Sequence, residues 1–280
     1  MLFVTDSQKR AMEQHKTTVY KGHTIHYRDE GRRHEQTLVL LHGYLQNLDI
    51  WTPYVLSYMR SMRVITIDLP GHGYSECIDE VMTMDMMAQT VKTVLDDAGV
   101  DQCVMVGHSM GGYVALAFAD LYPHHLRGLG LLHSHAFADS DATIERRMDT
   151  CNQVMLNRAS YIVGFIPSLF DAKSRLKLDL EIKDLQDQCL ETTTESIIAV
   201  QRGMAERPSR IDVLKKLEVP TLFIYGKNDS RLPVEMGLAQ AVEARHAEIL
   251  VMDDVAHMAH IEDREYVSPR ILNFVETCYM

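Results

Sequence analysis

Gly107-His108-Ser109-Met110-Gly111-Gly112 is the stretch whose reading decides the fold. An apolar run, Cys103-Val104-Met105-Val106, precedes it, and a helical run, Tyr113-Val114-Ala115-Leu116-Ala117-Phe118-Ala119, follows it. The order is strand, tight turn, helix. A Ser between Gly residues at such a turn is the setting of a nucleophile elbow. The turn is strained, and bulky side chains two residues from the Ser would clash, so Gly107 and Gly111 are expected to relieve it. Ser109 then stands at the top of a sheet. The helix N-terminus beneath it favours developing negative charge. The competing role for Ser109 is to cap that helix.

Similar apolar runs lie on both sides. Thr37 to Leu41, Arg63 to Ile67, Gly128 to Leu132, Thr221 to Tyr225 and Glu248 to Met252 read as strands buried in a parallel sheet. Thr17 to Tyr20 and Thr24 to Tyr27, joined by Lys21-Gly22-His23, read as an antiparallel hairpin. Helical periodicity runs from Met84 to Ala98, with Met87, Val91, Val94 and Leu95 on one face. It returns from Ser268 to Cys278, with Ile271, Leu272 and Val275. Strands alternating with helices predict a mainly parallel central sheet with helices on both faces. Residues 136–208 break the alternation, being charged, helical in period and poor in strand signals. They are read as a helical cap on a core formed by residues 1–135 and 209–280. The cap is expected over the C-terminal edge of the sheet, where open α/β folds bind ligands.

A Ser hydroxyl needs an adjacent base, usually a His held by a carboxylate. Asp229 follows Ser109 by 120 residues, in the turn Gly226-Lys227-Asn228-Asp229-Ser230 after a predicted strand. His257 follows by a further 28 residues, in the loop after the last predicted strand. Ser, Asp, His is the chain order that goes with a G-x-S-x-G elbow. Asp253 and Asp254 compete for the acid role and His260 for the base role. The acids lie too close to His257 for that order, and His260 reads as a helix-start residue. Two donors are needed for an oxyanion. The backbone N–H of Met110 is one, and that of Tyr44, in Leu41-His42-Gly43-Tyr44, is chosen as the other. His42 reads as structural. Gln46 and Trp51 are pocket candidates, with packing the default for Trp51. Met155, Phe165, Phe170 and Met204 are expected to line the pocket from the cap.

Bulk composition narrows the partners. The 280 residues are 46% apolar and 24% charged, with 28 basic and 39 acidic side chains and a net charge of −11. That balance argues against nucleic acid or an anionic membrane as partner. No apolar run approaches the roughly 18 residues of a membrane span. Five cysteines without a C-x-x-C pair argue against a disulfide framework. No signal peptide is read in Met1 to Arg10, so a cytoplasmic location is expected. The fourteen His are scattered. His133-Ser134-His135 and His124-His125 lack the carboxylate company of a zinc site, so no metal is expected. Seventeen Met point to an adaptable core.

His42-Gly43, Asp68 to Ser75, Gly107 to Gly112, the Asp229 turn and the segment from His257 to Asp263 occur in the order found in the α/β-hydrolase fold superfamily. The chain resembles its capped serine hydrolases, with Ala256 where members often carry Gly. The resemblance implies an acyl-enzyme route without a cofactor, and a small to medium ester-like substrate. Within the family, carboxylesterase is the first expectation. Carbon–carbon bond hydrolase, lactonase, thioesterase and cofactor-free haloperoxidase or perhydrolase remain open. A ligand-binding receptor on the same fold is the alternative outside enzymes. The turn from Asp68 to Ser75 is expected to be scaffold.

Overall fold

Each apolar run becomes a strand. In the computed structural model, which describes residues 15–280, the strands are β1 (Lys16–Tyr20), β2 (His23–Glu30), β3 (Thr37–Leu41), β4 (Arg63–Ile67), β5 (Cys103–His108), β6 (Leu126–Leu132), β7 (Thr221–Gly226) and β8 (Ala247–Met252). The leader reading of Met1 to Arg10 lies outside the described residues. The strands form one sheet in the order β1-β2-β4-β3-β5-β6-β7-β8. β1 with β2 and β2 with β4 are antiparallel, and the other neighbours are parallel. β3, β5 and β7 are buried along their whole length, as strands covered on both faces must be. β8 differs from the expectation. It is the sheet's edge, and Ile249 is 45% exposed.

The helices are α1 (Thr52–Tyr58), α2 (Met84–Ala98), α3 (Met110–Leu121), α4 (Asp141–Phe165), α5 (Ala172–Lys177), α6 (Asp179–Cys189), α7 (Thr194–Ala205), α8 (Ile211–Lys216), α9 (Val234–Ala241), α10 (Ala259–Glu262) and α11 (Arg264–Cys278). α2 spans the range that its periodicity predicts, with a cap at each end. Thr83 accepts the Met86 N–H at one end, and Gly99 takes φ 66° at the other. α11 starts four residues before Ser268, because Asp263 caps it through the Tyr266 N–H and Pro269 falls inside the helix.

Alternate side chains of the strands feed two cores. Val39, Leu41, Met105 and Phe223 pack with Met87 and Val91 of α2 and Val114 of α3. Leu38, Leu40, Val104 and Val106 pack with Tyr54 and Tyr58 of α1 and Ile271 and Phe274 of α11. α1 and α11 therefore cover one face, and α2 and α3 the other. All five cysteines are free. No helix among the described residues is long and apolar enough to cross a membrane.

Between β6 and β7 the chain runs through α4 to α8. α4 breaks at Asn157, which leaves helical geometry while its Oδ1 accepts the Ser160 N–H and restarts the helix. The helices are tied to the sheet layer by backbone. The Met82 N–H donates to the Ala199 carbonyl at 3.0 Å. A Cβ on Gly203 of α7 would fall 1.8 Å from the Met82 carbonyl oxygen.

Candidate active site

Ser109 sits between β5 and α3 with φ 51° and ψ −115°, a conformation that L side chains rarely adopt. Its surroundings enforce it. A Cβ on Gly107 would lie 2.2 Å from the Gly111 carbonyl oxygen, and one on Gly111 would lie 2.5 Å from that of Leu41. The Ser109 N–H donates to Leu132 O and its carbonyl accepts the Ser134 hydroxyl, each at 2.8 Å. Strain of this kind persists only when neighbours over-determine it. Ser109 makes no side-chain cap hydrogen bond to α3.

The fold brings Asp229 and His257 to the same edge. Ser109 Oγ lies 2.9 Å from His257 Nε2, and His257 Nδ1 lies 2.8 Å from Asp229 Oδ2. A carboxylate only accepts, so His257 carries its proton on Nδ1 and offers the Nε2 lone pair to Ser109. The Arg231 and Leu232 N–H groups donate to Asp229 Oδ1 at 2.7 and 3.1 Å. Burial alone would raise the Asp229 carboxyl. Electrostatic attraction from His257 and the hydrogen bonds from His133 and His257 outweigh it and hold the carboxyl far below the usual range. Asp229 is thus an ionised, fully engaged acceptor.

His133 is the residue that sequence reasoning missed. Its Nδ1 donates to the same Asp229 Oδ2 at 2.9 Å, and its ring is fully buried. The expectation that His133 lacks a carboxylate neighbour is overturned, because β7 delivers Asp229 beside the end of β6. His133, Asp229 and His257 hold possible ligand atoms within 4.8 Å of one another. Both Nδ1 atoms use their N–H on one oxygen, and His133 Nε2 faces the Ala259 N–H at 3.4 Å. The lone pairs therefore do not converge, and the group reads as a hydrogen-bonded cluster rather than a metal ligand set. Burial lowers the His133 pKa, more than Asp229 raises it. The one local signal was position: His133 directly follows a core strand, as Asp229 and His257 follow theirs.

The His257 loop is pinned from two sides. Glu262 Oε1 accepts the Ala256 and Met258 N–H groups, and its Oε2 accepts the Asp171 N–H. The His257 N–H itself donates to the Leu169 carbonyl at 2.9 Å. The competing residues fall elsewhere. Asp253 and Asp254 are exposed and pair with Lys227 and Lys173. His260 is buried, packs its ring on Trp51 and His108, and leaves both ring nitrogens without a partner among the described residues. Trp51 is core. His42 holds two turns together: Nδ1 donates to Gly43 O, and Nε2 accepts the Leu69 N–H. Asp68 collects Leu48 N–H, Tyr74 N–H and His26 Nδ1, the scaffold role expected of its turn.

The Met110 and Tyr44 backbone N–H groups have no acceptor among the described residues. Gly43 beside Tyr44 is tied to Gln46 Oε1 at 2.9 Å, and a Cβ there would lie 2.6 Å from His108 Nδ1. A cavity of about 580 Å³ opens above Ser109 and His257, walled by Tyr44 and Gln46 and by Phe165 and Met204 from the 136–208 segment. Two of the expected cap residues are not among its walls. Met155 is 60% exposed, and Phe170 is buried in the core. Apolarity alone had placed them there, and it does not report which way a helix turns.

Residues 36–264 match the model of the alpha/beta hydrolase fold family. The chain belongs to that family. It is 28% identical over 270 residues to a 2-hydroxy-6-oxononadienedioate/2-hydroxy-6-oxononatrienedioate hydrolase of Paraburkholderia phymatum, with 90% of each chain covered. A thermophilic esterase from Thermogutta terrifontis, solved with malate bound, superposes with a TM-score of 0.88 at 29% identity, covering 95% of this chain and 100% of its own. The enol-lactonase of Burkholderia xenovorans shares the fold, with a TM-score of 0.85 at 21% identity over 93% of this chain and 100% of its own. An α/β-hydrolase fold built on a mainly parallel sheet, and membership among hydrolases, are the expectations these likenesses bear out.

Proposed function

We propose that this α/β-hydrolase is a serine hydrolase of the carboxylesterase kind, with residues 136–208 as its cap. The observation that carries the reading is the hydrogen-bonded line Ser109–His257–Asp229 on the floor of the cavity. Ser109 Oγ attacks the ester carbonyl as its proton passes to His257 Nε2. The tetrahedral oxyanion takes the Tyr44 and Met110 N–H groups. The C–O bond to the alcohol breaks, and His257 returns the proton to the leaving oxygen. Water then attacks the acyl-Ser109 bond, giving its proton to His257, and the acid leaves as Ser109 regains its own. Asp229 keeps the tautomer and steadies the imidazolium.

Cleavage of a carbon–carbon bond by the same residues is the second reading. The Paraburkholderia relative is named for a substrate that carries a ketone and no ester. The test is fluorophosphonate labelling with the site mapped by peptide mass spectrometry, then a screen of short-chain esters, thioesters and lactones. Labelling of Ser109 and ester turnover, both lost in Ser109→Ala and His257→Ala, are expected. Folded protein that resists the probe would overturn the reading in favour of a binding protein.

A further inference from the structure

The chain carries a net charge of −11, yet its cavity is lined by Arg146, Arg147 and Arg231 against one Asp139. Arg146 and Arg231 are exposed, with Arg231 lying over the Phe165 ring. Arg147 lies deeper, its side chain 16% exposed. Its Nε donates to Asp139 Oδ2, and its Nη1 reaches Gln201 Oε1 at 3.1 Å. The other Asp139 oxygen accepts Arg207 Nη2 at 2.7 Å. One buried carboxylate therefore serves two guanidinium groups. Burial raises the Asp139 carboxyl, but the hydrogen bonds and charges of Arg147 and Arg207 bring it below its usual value. His135, beside them, adds no charge, since burial and Arg207 push it down to about 3. One positive charge is left over.

An uncompensated buried charge costs several kcal/mol in general, so a fold that keeps one at a cavity wall gains from a ligand that matches it. Arg147 Nη2 has no partner among the described residues. Arg147 stands on the wall of the cavity that holds Ser109 and His257. A guanidinium N–H is a donor that a carboxylate oxygen takes.

We propose that Arg147 forms a carboxylate-binding subsite, so that the ester cleaved at Ser109 carries a carboxylate of its own. This rests on the serine hydrolase reading. Arg147 supplies charge and direction, and Asp139 and Gln201 hold its plane. A neutral ester leaves that donor unpaired at the cavity wall. Discrimination of about 10- to 100-fold follows from one charged hydrogen bond made or lost.

Two ester pairs test it. 4-Nitrophenyl hydrogen glutarate is compared with its methyl ester, placing the charge on the acyl side. 4-Acetoxybenzoate is compared with its methyl ester, placing it on the alcohol side. The free acid should win by about 10- to 100-fold in kcat/KM in one pair, and that pair names the side. Arg147→Gln should shrink the ratio. Equal rates in both pairs, or a preference that survives Arg147→Gln, would overturn the subsite. Should Arg147→Gln not fold, the Ser109→Ala protein, which cannot turn either ester over, still decides: monomethyl glutarate should raise its melting temperature and dimethyl glutarate should not. That shift needs no turnover. Absence of ester hydrolysis by the wild-type protein, with the shift present, would sink the hydrolase reading alone.

Discussion

At the scale of single residues, the site is organised around one oxygen. Asp229 Oδ2 accepts from both His257 and His133, while Oδ1 takes two backbone N–H groups. Asp229→Asn would replace an acceptor with an amide and present the wrong tautomer of His257. A kcat loss on the order of 10⁴-fold is expected in steady-state kinetics. Retained activity would move the acid role elsewhere. His133 is a positioning residue by this geometry, since it touches Asp229 and not Ser109. His133→Ala should lower kcat by about 10- to 100-fold, the worth of one hydrogen bond to a charge, with KM nearly unchanged. His133→Asn, which keeps an N–H near the same place, should recover most of it. A KM effect larger than the kcat effect, or no rescue by Asn, would refute the role. Ser109, Asp229 and His257 were legible because each stands in a turn after an apolar run, in a fixed order. His133 was not. Its meaning comes from a partner 96 residues away, and nothing near it in the chain announces that pairing.

At the scale of elements, legibility followed local chemistry. The span of α2 could be read from its apolar periodicity, and Thr83 and Gly99 cap it at those bounds. The edge position of β8 could not, since an apolar run looks alike in the middle and at the rim of a sheet. The helical character of residues 141–205 was readable from period, but its docking was not. Gly203 shows why. Within a helix, Ala is worth about 1 kcal/mol more than Gly, so sequence alone favours Gly203→Ala. Here the added carbon meets the Met82 carbonyl, part of the backbone rather than a flexible side-chain tip. Overpacking costs about 1–3 kcal/mol and wins. Gly203→Ala should therefore lower stability in urea titration. It should also change KM, because α7 carries Gln201 and Met204 on the cavity wall. A more stable variant would mean that α7 has room to move off Met82.

At the scale of the molecule, the fold keeps many imidazoles neutral in its interior. Burial pushes His72 down to about 3, and burial with Arg207 does the same to His135, from 6.5. His42, His108, His133 and His260 are shifted the same way, with burial the leading cause. Between pH 3 and 6.5 the unfolded chain binds protons that the folded chain refuses. Stability must then rise with pH through that window and level off above it. At pH 5.5, one such His costs about 1.4 kcal/mol relative to the plateau, and His72 with His135 about 3 kcal/mol. Acidification also relieves repulsion within a chain of net charge −11, which acts in the opposite direction. Those charges are mostly at the surface, where salt screens them beyond about 10 Å, so the buried imidazoles should dominate. Urea titrations from pH 8 to 5 in 0.15 M salt should give constant stability down to about pH 6.5, then a steep fall. His72→Gln should make that fall shallower by one proton, about 1.4 kcal/mol per pH unit. A flat profile from pH 7 to 5 would show that these rings take up protons inside the fold, and the neutral interior would be wrong.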